Sequence, residues 1–310
     1  MTTKVLLWGS TGLVGQNIRE HRSYAEYLFF CPTRSEVDLL DINQTVSYVR
    51  RIKPDIIIHT AGLVGGITAN ISNPISFFFD NAQIGLNVIK SSVDNEIPRL
   101  INLASSCMYR NNSHLPLRED ELFEGPLEPT NEGYALSKIL STKFCQFVSQ
   151  DRASLNYKTL VPCNLYGRFD KFEPGKSHLL PAIIEKIHRA KIAGLSEVII
   201  WGSGSAKREF MYASDLADAI YYCIKNYDDT PGIINIGAGK DCTVLEYYQM
   251  VARVLGWNGT FIFDQCKPEG MRRKLLDTSL QEKWGWKPET HLEVGIASTY
   301  QYFLETHNAL

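Results

Sequence analysis

The chain has 310 residues, 44% of them hydrophobic and 21% charged, enough to bury one substantial core and a smaller attached lobe. Its 32 basic and 34 acidic side chains leave a formal charge of -2 with no long run of either sign, which excludes the electrostatic footprint of a nucleic-acid binder or of a protein held on an anionic membrane. The seven cysteines are odd in number and scattered, without metal-type spacing, so neither a disulfide framework nor a metal site is expected.

In chain order, Val5–Trp8 is an apolar run too short for a signal sequence or a membrane span of ~20 residues, and a cytosolic protein is expected. The runs Val5–Trp8, Tyr27–Cys31, Asp55–Thr60, Leu100–Ala104 and Thr159–Val161 read as buried strands. Between them Leu13–His21, Asn43–Ile52, Ile75–Asn95 and Tyr134–Asp151 carry apolar residues at helical spacing. This alternation predicts an α/β fold with a doubly wound parallel sheet of Rossmann type, covered by helices on both faces. After about residue 165 the pattern changes: a Gly/Pro-marked loop, a helix near His178–Ala190, short strands at Val198–Trp201 and Ile233–Ile236, and a helix near Leu245–Leu255. Residues 1–165 are expected to form the dinucleotide domain, and residues 166–310 a smaller substrate lobe partly interwoven with it.

Gly9-Ser10-Thr11-Gly12-Leu13-Val14-Gly15 follows the first strand and opens the first helix, the context a dinucleotide loop requires. Glycines there allow a tight turn and close backbone approach, and the helix N-terminus offers free N–H groups to a pyrophosphate. After the second strand the chain offers Pro32-Thr33-Arg34 where an NAD enzyme would place a carboxylate. Arg34 suits a 2′-phosphate, hence NADP(H), although a solvated loop arginine is the plain alternative. Asp41 either holds the adenine edge or caps the following helix.

Tyr134 and Lys138 stand four residues apart, one helical turn from each other. An ammonium beside the phenol would lower its pKa from ~10 toward neutrality and let it exchange a proton. Ser105 lies just beyond the fourth strand, where ligands of doubly wound sheets bind, and can share a substrate carbonyl with the tyrosine. Glycine loop, Ser and Tyr/Lys pair in this order point to a short-chain dehydrogenase.

Several segments spanning nearly the whole chain resemble the GDP-L-fucose synthase family of extended short-chain dehydrogenases. They are residues 62–70, Ser105-Ser106-Cys107-Met108-Tyr109, Glu128-Pro129-Thr130-Asn131-Glu132, Asn164-Leu165-Tyr166-Gly167, Ser177-His178-Leu179-Leu180-Pro181, Trp201-Gly202-Ser203-Gly204, Arg208-Glu209-Phe210, Asp241-Cys242-Thr243, and Lys267-Pro268 through Arg273-Lys274-Leu275-Leu276-Asp277. The resemblance implies 3,5-epimerisation of GDP-4-keto-6-deoxy-D-mannose followed by NADPH reduction at C4. A C4 ketone acidifies both neighbouring C–H bonds, and reduction ends that acidity, so inversion comes first. By resemblance Cys107 is the base and His178 the acid, with Ser105 and Tyr134 on the ketone oxygen and Lys138 beside the tyrosine. Ala61, Leu63, Pro162, Asn164, Leu165, Lys138 and His178 join the glycine loop around the cofactor. Lys186, Arg208, Lys274, Trp201 and Asp277 line the GDP-sugar. For Cys107 the plain alternative is a small buried hydrophobe, for His178 a histidine satisfied at a helix N-terminus, and for Trp201 core packing.

Departures from the family pattern are Ser10-Thr11 in place of His-Arg, Arg110 and Gly133 in place of prolines, and Lys186 where arginine is common. They lie around the cofactor, sugar or phosphate pocket and leave open a related substrate, such as the 3,6-dideoxy ketosugar leading to GDP-L-colitose or a 6-deoxy-heptose. A dehydratase would add an acidic residue near positions 105–107, and none is there. A non-catalytic scaffold would have no need for an intact Ser/Cys/Tyr/Lys/His set. By resemblance a homodimer is expected, built on helices 75–95 and 134–151.

Overall fold

The first apolar run becomes β1 (Lys4–Trp8), the strand around which the rest is arranged. The computed structural model describes residues 2–111, 115–173, 175, 177–266 and 270–307, so Lys267 and Pro268 of the family-like segment lie outside the described residues. After β1 come α1 (Leu13–Glu20), β2 (Leu28–Phe30), α2 (Ile42–Ile52), β3 (Ile56–His59), α3 (Ile67–Ser72), α4 (Pro74–Asp94), β4 (Arg99–Leu103), α5 (Glu132–Asp151) and β5 (Asn156–Pro162). The second half adds β6 (Asn164–Tyr166), α6 (Leu179–Ile192), β7 (Glu197–Trp201), β8 (Lys207–Tyr212), α7 (Ala213–Lys225), β9 (Ile233–Ile236), β10 (Asp241–Thr243), α8 (Val244–Leu255), β11 (Thr260–Asp264), β12 (Arg273–Lys274), α9 (Ser279–Trp284) and α10 (Leu292–His307).

Six strands form one parallel sheet in the order β2-β1-β3-β4-β5-β9. Side chains alternate across it. Val5, Leu7, Ile56, Ile58 and Ile101 enter one core with Ile18 of α1 and Leu216, Ile220 and Cys223 of α7. Leu6, Trp8, Ile57 and Leu100 enter the other with Val49 of α2, Val88 of α4 and Val148 of α5. The short apolar runs are therefore buried on both faces, the reason they read as continuous rather than alternating.

Chain direction reverses between β1 and β3: β2 lies on one side of β1, and the chain then crosses to pair β3 on the other. No strand forms between β2 and α2. Residues 38–41 are held there in turns, with Leu40 N–H donating to Asp38 Oδ1 and Asp41 N–H to the Asp38 carbonyl. Ligand crevices of such sheets open where direction reverses, beyond the carboxyl ends of the strands.

The second half of the chain does two things. It sends α7 back onto α1 and β9 back onto β5, completing the first sheet. It also builds a second core from Tyr166, Leu180, Ile183, Ile187, Tyr247 and Val251. There β8 is the hub, flanked by β10 and β12 and joined by β6, while β7 and β11 pair separately. Helices α3, α7, α9 and α10 are additions to the elements read from the sequence. No helix among the described residues is long and apolar enough to cross a membrane.

Leu7 is fully buried at the centre of the sheet. Leu7→Ala is expected to cost ~2–5 kcal/mol of stability, read as a lowered urea midpoint with an unchanged slope.

Candidate active site

Residues 9–15 bridge β1 and α1 at the reversal point. Gly9 adopts φ +84°, and a Cβ on it would lie 2.6 Å from Ala61 N at the end of β3. A Cβ on Gly15 would lie 2.2 Å from the Gly9 carbonyl oxygen, so helix and turn touch through bare backbone. Gly12 is different: its Cβ would meet nothing nearer than the Gly9 oxygen at 3.5 Å. Gly12 is the N-cap of α1 and supplies no side-chain cap, which leaves the first N–H groups, beside Thr11, Leu13 and Val14, for an anion. Across the crevice the Asn81 amide clamps the loop after β3, accepting from Leu63 N–H at 2.7 Å and donating to the Leu63 carbonyl at 3.0 Å. These features fit a dinucleotide.

Arg34 is exposed just past β2 and enters no ion pair among the described residues. Asp41, read as an adenine contact or a cap, is the N-cap of α2: Oδ1 accepts from Asn43 and Gln44 N–H, and Oδ2 from the Gln44 amide. The structure gives that carboxylate to the helix. Pro162 ends β5, Asn164 donates to the Glu209 carbonyl at 2.8 Å, and Leu165 pairs Met211 across β6 and β8, so this wall of the crevice is tied to the second core.

Just beyond β4 a single 3-10 turn, Ser106–Met108, carries the next group. Ser105 Oγ accepts from Cys107 N–H at 3.2 Å and hydrogen-bonds the Tyr134 phenol. Lys138, one turn along α5, donates to the Leu103 carbonyl at 3.0 Å, with its nitrogen 5.7 Å from the Tyr134 ring centre. Burial pushes the lysine down to about 8. Contrary to the expectation of a lowered phenol, burial raises Tyr134 well above its ordinary value, with Cys107 adding to the rise and Ser105 opposing it. Desolvation is the largest cause, and the phenol stays protonated through neutrality.

Cys107 Sγ accepts two N–H donors: Asn131 Nδ2 at 3.3 Å and Lys274 Nζ at 3.5 Å. Lys274, taken from the sequence as a diphosphate contact, is thus buried against the thiol, placed there by pairing of β12 with β8. Asn131 carried no role in the sequence reading. It could have been found as an N-cap residue type standing three positions before the tyrosine. Glu209 was also quoted only as part of a motif. Only 1% exposed, it accepts from Gly239 N–H at 2.8 Å and Leu276 N–H at 2.9 Å, and burial pushes its carboxyl up to about 7. Glu209 thereby fixes the segment that carries Lys274.

His178 is the N-cap of α6 without making a side-chain cap, and burial holds its imidazole below the ordinary value. It is brought toward the loop after β3 by its neighbour: a Cβ on Gly66 would lie 2.8 Å from the Ser177 carbonyl oxygen. No hydrogen bond joins His178 to Cys107 or Tyr134 among the described residues. Trp201 is 47% exposed, so it is not a core residue, and Lys186 Nζ sits 5.1 Å from its ring centre while donating to the Ile199 carbonyl. Arg208 neighbours Lys274 across β8 and β12. Asp277 accepts from Ser279 N–H at the start of α9. Gly133 lets α5 approach α4, where a Cβ would meet the Pro74 oxygen at 3.1 Å and Phe78 Cβ at 3.2 Å.

A dinucleotide turn at the reversal of a doubly wound sheet, with Ser105, Tyr134 and Lys138 joined beyond the next strand, defines a reductase of the extended short-chain dehydrogenase type. Residues 5–237 match the NAD dependent epimerase/dehydratase family. The chain is 49% identical to GDP-L-colitose synthase of Yersinia pseudotuberculosis over 98% of its length and 99% of that protein's. It is 48% identical to GDP-L-fucose synthase of Azorhizobium caulinodans, covering 97% and 96%. Among solved structures, a GDP-mannoheptose C4 reductase from Campylobacter jejuni with NADP bound superposes with a TM-score of 0.88 at 28% identity, covering 97% of this chain and 98% of that one. The chain belongs to the NAD dependent epimerase/dehydratase family and, within it, to the group that contains the GDP-L-fucose and GDP-L-colitose synthases.

The glycines divide by what they do. Gly12→Ala has room and an extended backbone, and should fold with a melting temperature close to the parent's. It should nevertheless bind NADPH at least ~10-fold more weakly by calorimetry, because the methyl intrudes where a pyrophosphate approaches.

Proposed function

We propose that the chain is a bifunctional enzyme that epimerises GDP-4-keto-6-deoxy-D-mannose at C3 and C5 and reduces it at C4 with NADPH, giving GDP-L-fucose. The observation that carries the reading is Cys107, a thiol held by two N–H donors and coupled to the Ser105/Tyr134 pair. A plain ketone reductase has no use for such a group.

Ser105 and Tyr134 hold the C4 oxygen. Cys107 takes the proton from the carbon beside the ketone: the C–H bond breaks, an S–H bond forms, and the electron pair passes into an enolate whose oxygen stays on the two hydroxyls. His178 returns a proton to the opposite face. Its lowered value makes the imidazolium the stronger acid. When bound at residues 9–15, beside Ala61, Leu63, Pro162, Asn164 and Leu165, NADPH supplies hydride for C4. Tyr134, kept protonated by burial, then gives its proton to the alkoxide, and buried Lys138 orders the base of the site from the Leu103 carbonyl. Arg34, exposed next to Thr33 and Ser35, takes the 2′-phosphate. Lys186, Trp201 and Arg208 hold the nucleotide diphosphate, with Asp277 at the edge of that lobe.

The 49% identity to a GDP-L-colitose synthase favours a second reading on the same machinery, with a 3,6-dideoxy ketosugar as substrate. That sugar has no C3 hydroxyl to invert. Turnover of a panel of GDP-4-ketosugars, with NADPH and NADH in parallel, separates the two. Incubating the ketosugar in heavy water without NADPH should place deuterium at C3 and C5, and Cys107→Ser should nearly stop that uptake while leaving reduction of an already epimerised ketone. Reduction by the parent without any deuterium uptake would make the chain a plain C4 reductase.

We also infer a cytosolic homodimer. Ile75, Phe78 and Phe79 on α4 and Leu136, Leu140 and Phe147 on α5 are exposed at helical spacing, a patch a monomer has reason to cover. Sedimentation should give twice the chain mass, falling to a single chain in Phe79→Glu.

A further inference from the structure

Asn131 occupies the N-cap of α5, the position at which an asparagine ordinarily bonds the free N–H groups of the first turn. Its side chain makes no such cap. Its Oδ1 is buried and has no partner among the described residues. Among the described residues the single hydrogen bond of the side chain is the one from Nδ2 to Cys107 Sγ at 3.3 Å. The amide thus forgoes the cap that would serve the helix and keeps the bond to the thiol. Its location compounds the effect, since the sulfur lies at the N-terminal end of a 20-residue helix, where backbone dipoles favour negative charge. Lys274 completes the arrangement from the second core, and the Tyr134 phenol is a further titratable group coupled to the sulfur. Asn131 and Tyr134 also line the same cavity of about 250 Å³, with Phe77 and Pro129.

We propose that Asn131 is a positioning residue for Cys107: its amide N–H and the Lys274 ammonium together orient the sulfur and stabilise its proton-accepting state, while its own oxygen is left to accept a hydroxyl of the sugar. This rests on the epimerase reading for its consequence in catalysis, but the hold on the sulfur is independent of substrate. One amide and one ammonium, delivered from different lobes, make the thiol a base only when both lobes are in place.

The test needs no substrate. Alkylation of Cys107 by iodoacetamide, followed by mass spectrometry of its peptide, gives the pH at which the rate is half maximal; this midpoint reports the charge state of the sulfur, not its accessibility. Loss of one donor to a charged acceptor should move the midpoint up by about one pH unit in Asn131→Ala. Asn131→Asp, which sets a carboxylate against the sulfur and can also cap α5, should move it further although its fold is as well or better supported. A merely structural role predicts that Ala and Asp variants leave the midpoint where it is, and that result overturns the proposal. In the heavy-water experiment Asn131→Ala should slow deuterium entry ~10–100-fold with NADPH affinity unchanged. If the parent shows no uptake, the epimerase reading fails, and the alkylation midpoint still decides whether Asn131 holds the sulfur.

Discussion

The structure depends on backbone touching backbone where β1, the first turn of α1 and the end of β3 converge. Gly9 against Ala61 and Gly15 against Gly9 leave no space for side chains, at separations of 2.6 Å and 2.2 Å for the missing Cβ atoms. This contact closes the sheet at its reversal point, seats α1 on its core, and exposes the start of that helix to the crevice. The remaining site elements are then measured from it: the loop clamped by Asn81, the 3-10 turn after β4, and the tyrosine face of α5.

The cores around the two sheets contribute unequally to the candidate site. The first carries Ser105, bonded to the Tyr134 phenol, and Lys138, held separately by the Leu103 carbonyl. The second contributes Lys274 to the thiol through a two-residue strand whose register is fixed by β8 and by the buried Glu209 carboxylate. Residues that seem redundant in a motif, such as the acid between Arg208 and Phe210, are there to hold that register. A carboxyl buried to 1% exposure and met by several backbone N–H groups is tolerated because those donors replace its water.

What could be read in the sequence follows from how local the cause is. Strands buried on both faces and helices of regular period announce themselves, and β1, β3, β4, α4 and α5 lie within a few residues of their expected limits. The turn at residues 38–41 was not legible, since Asp38 takes the Leu40 N–H by a side-chain bond that composition alone does not rank, whereas the cap by Asp41 was one of the two roles read for it. Tyr134 and Lys138 were legible as a helical pair, but not how far burial raises the phenol. Lys274 and Asn131 were recognisable as residue types in quoted segments; their meeting at one sulfur joins positions 107, 131 and 274, and no periodicity encodes that.

The return of β9 to β5 has a consequence for how the polypeptide is made. Thr159 pairs with Ile233 and Pro162 with Ile236, and α7 covers α1 on the same face. A nascent chain that has emerged only through β5 therefore presents an unpaired parallel edge and an uncovered apolar face until some seventy further residues follow. Synthesis passes through a stage in which the dinucleotide half is complete in sequence but not in structure, and the chain's exposure to misassembly is concentrated there. Severing the chain between the lobes would fix it permanently at that stage, which makes the apparent boundary near residue 165 a poor place to divide the protein.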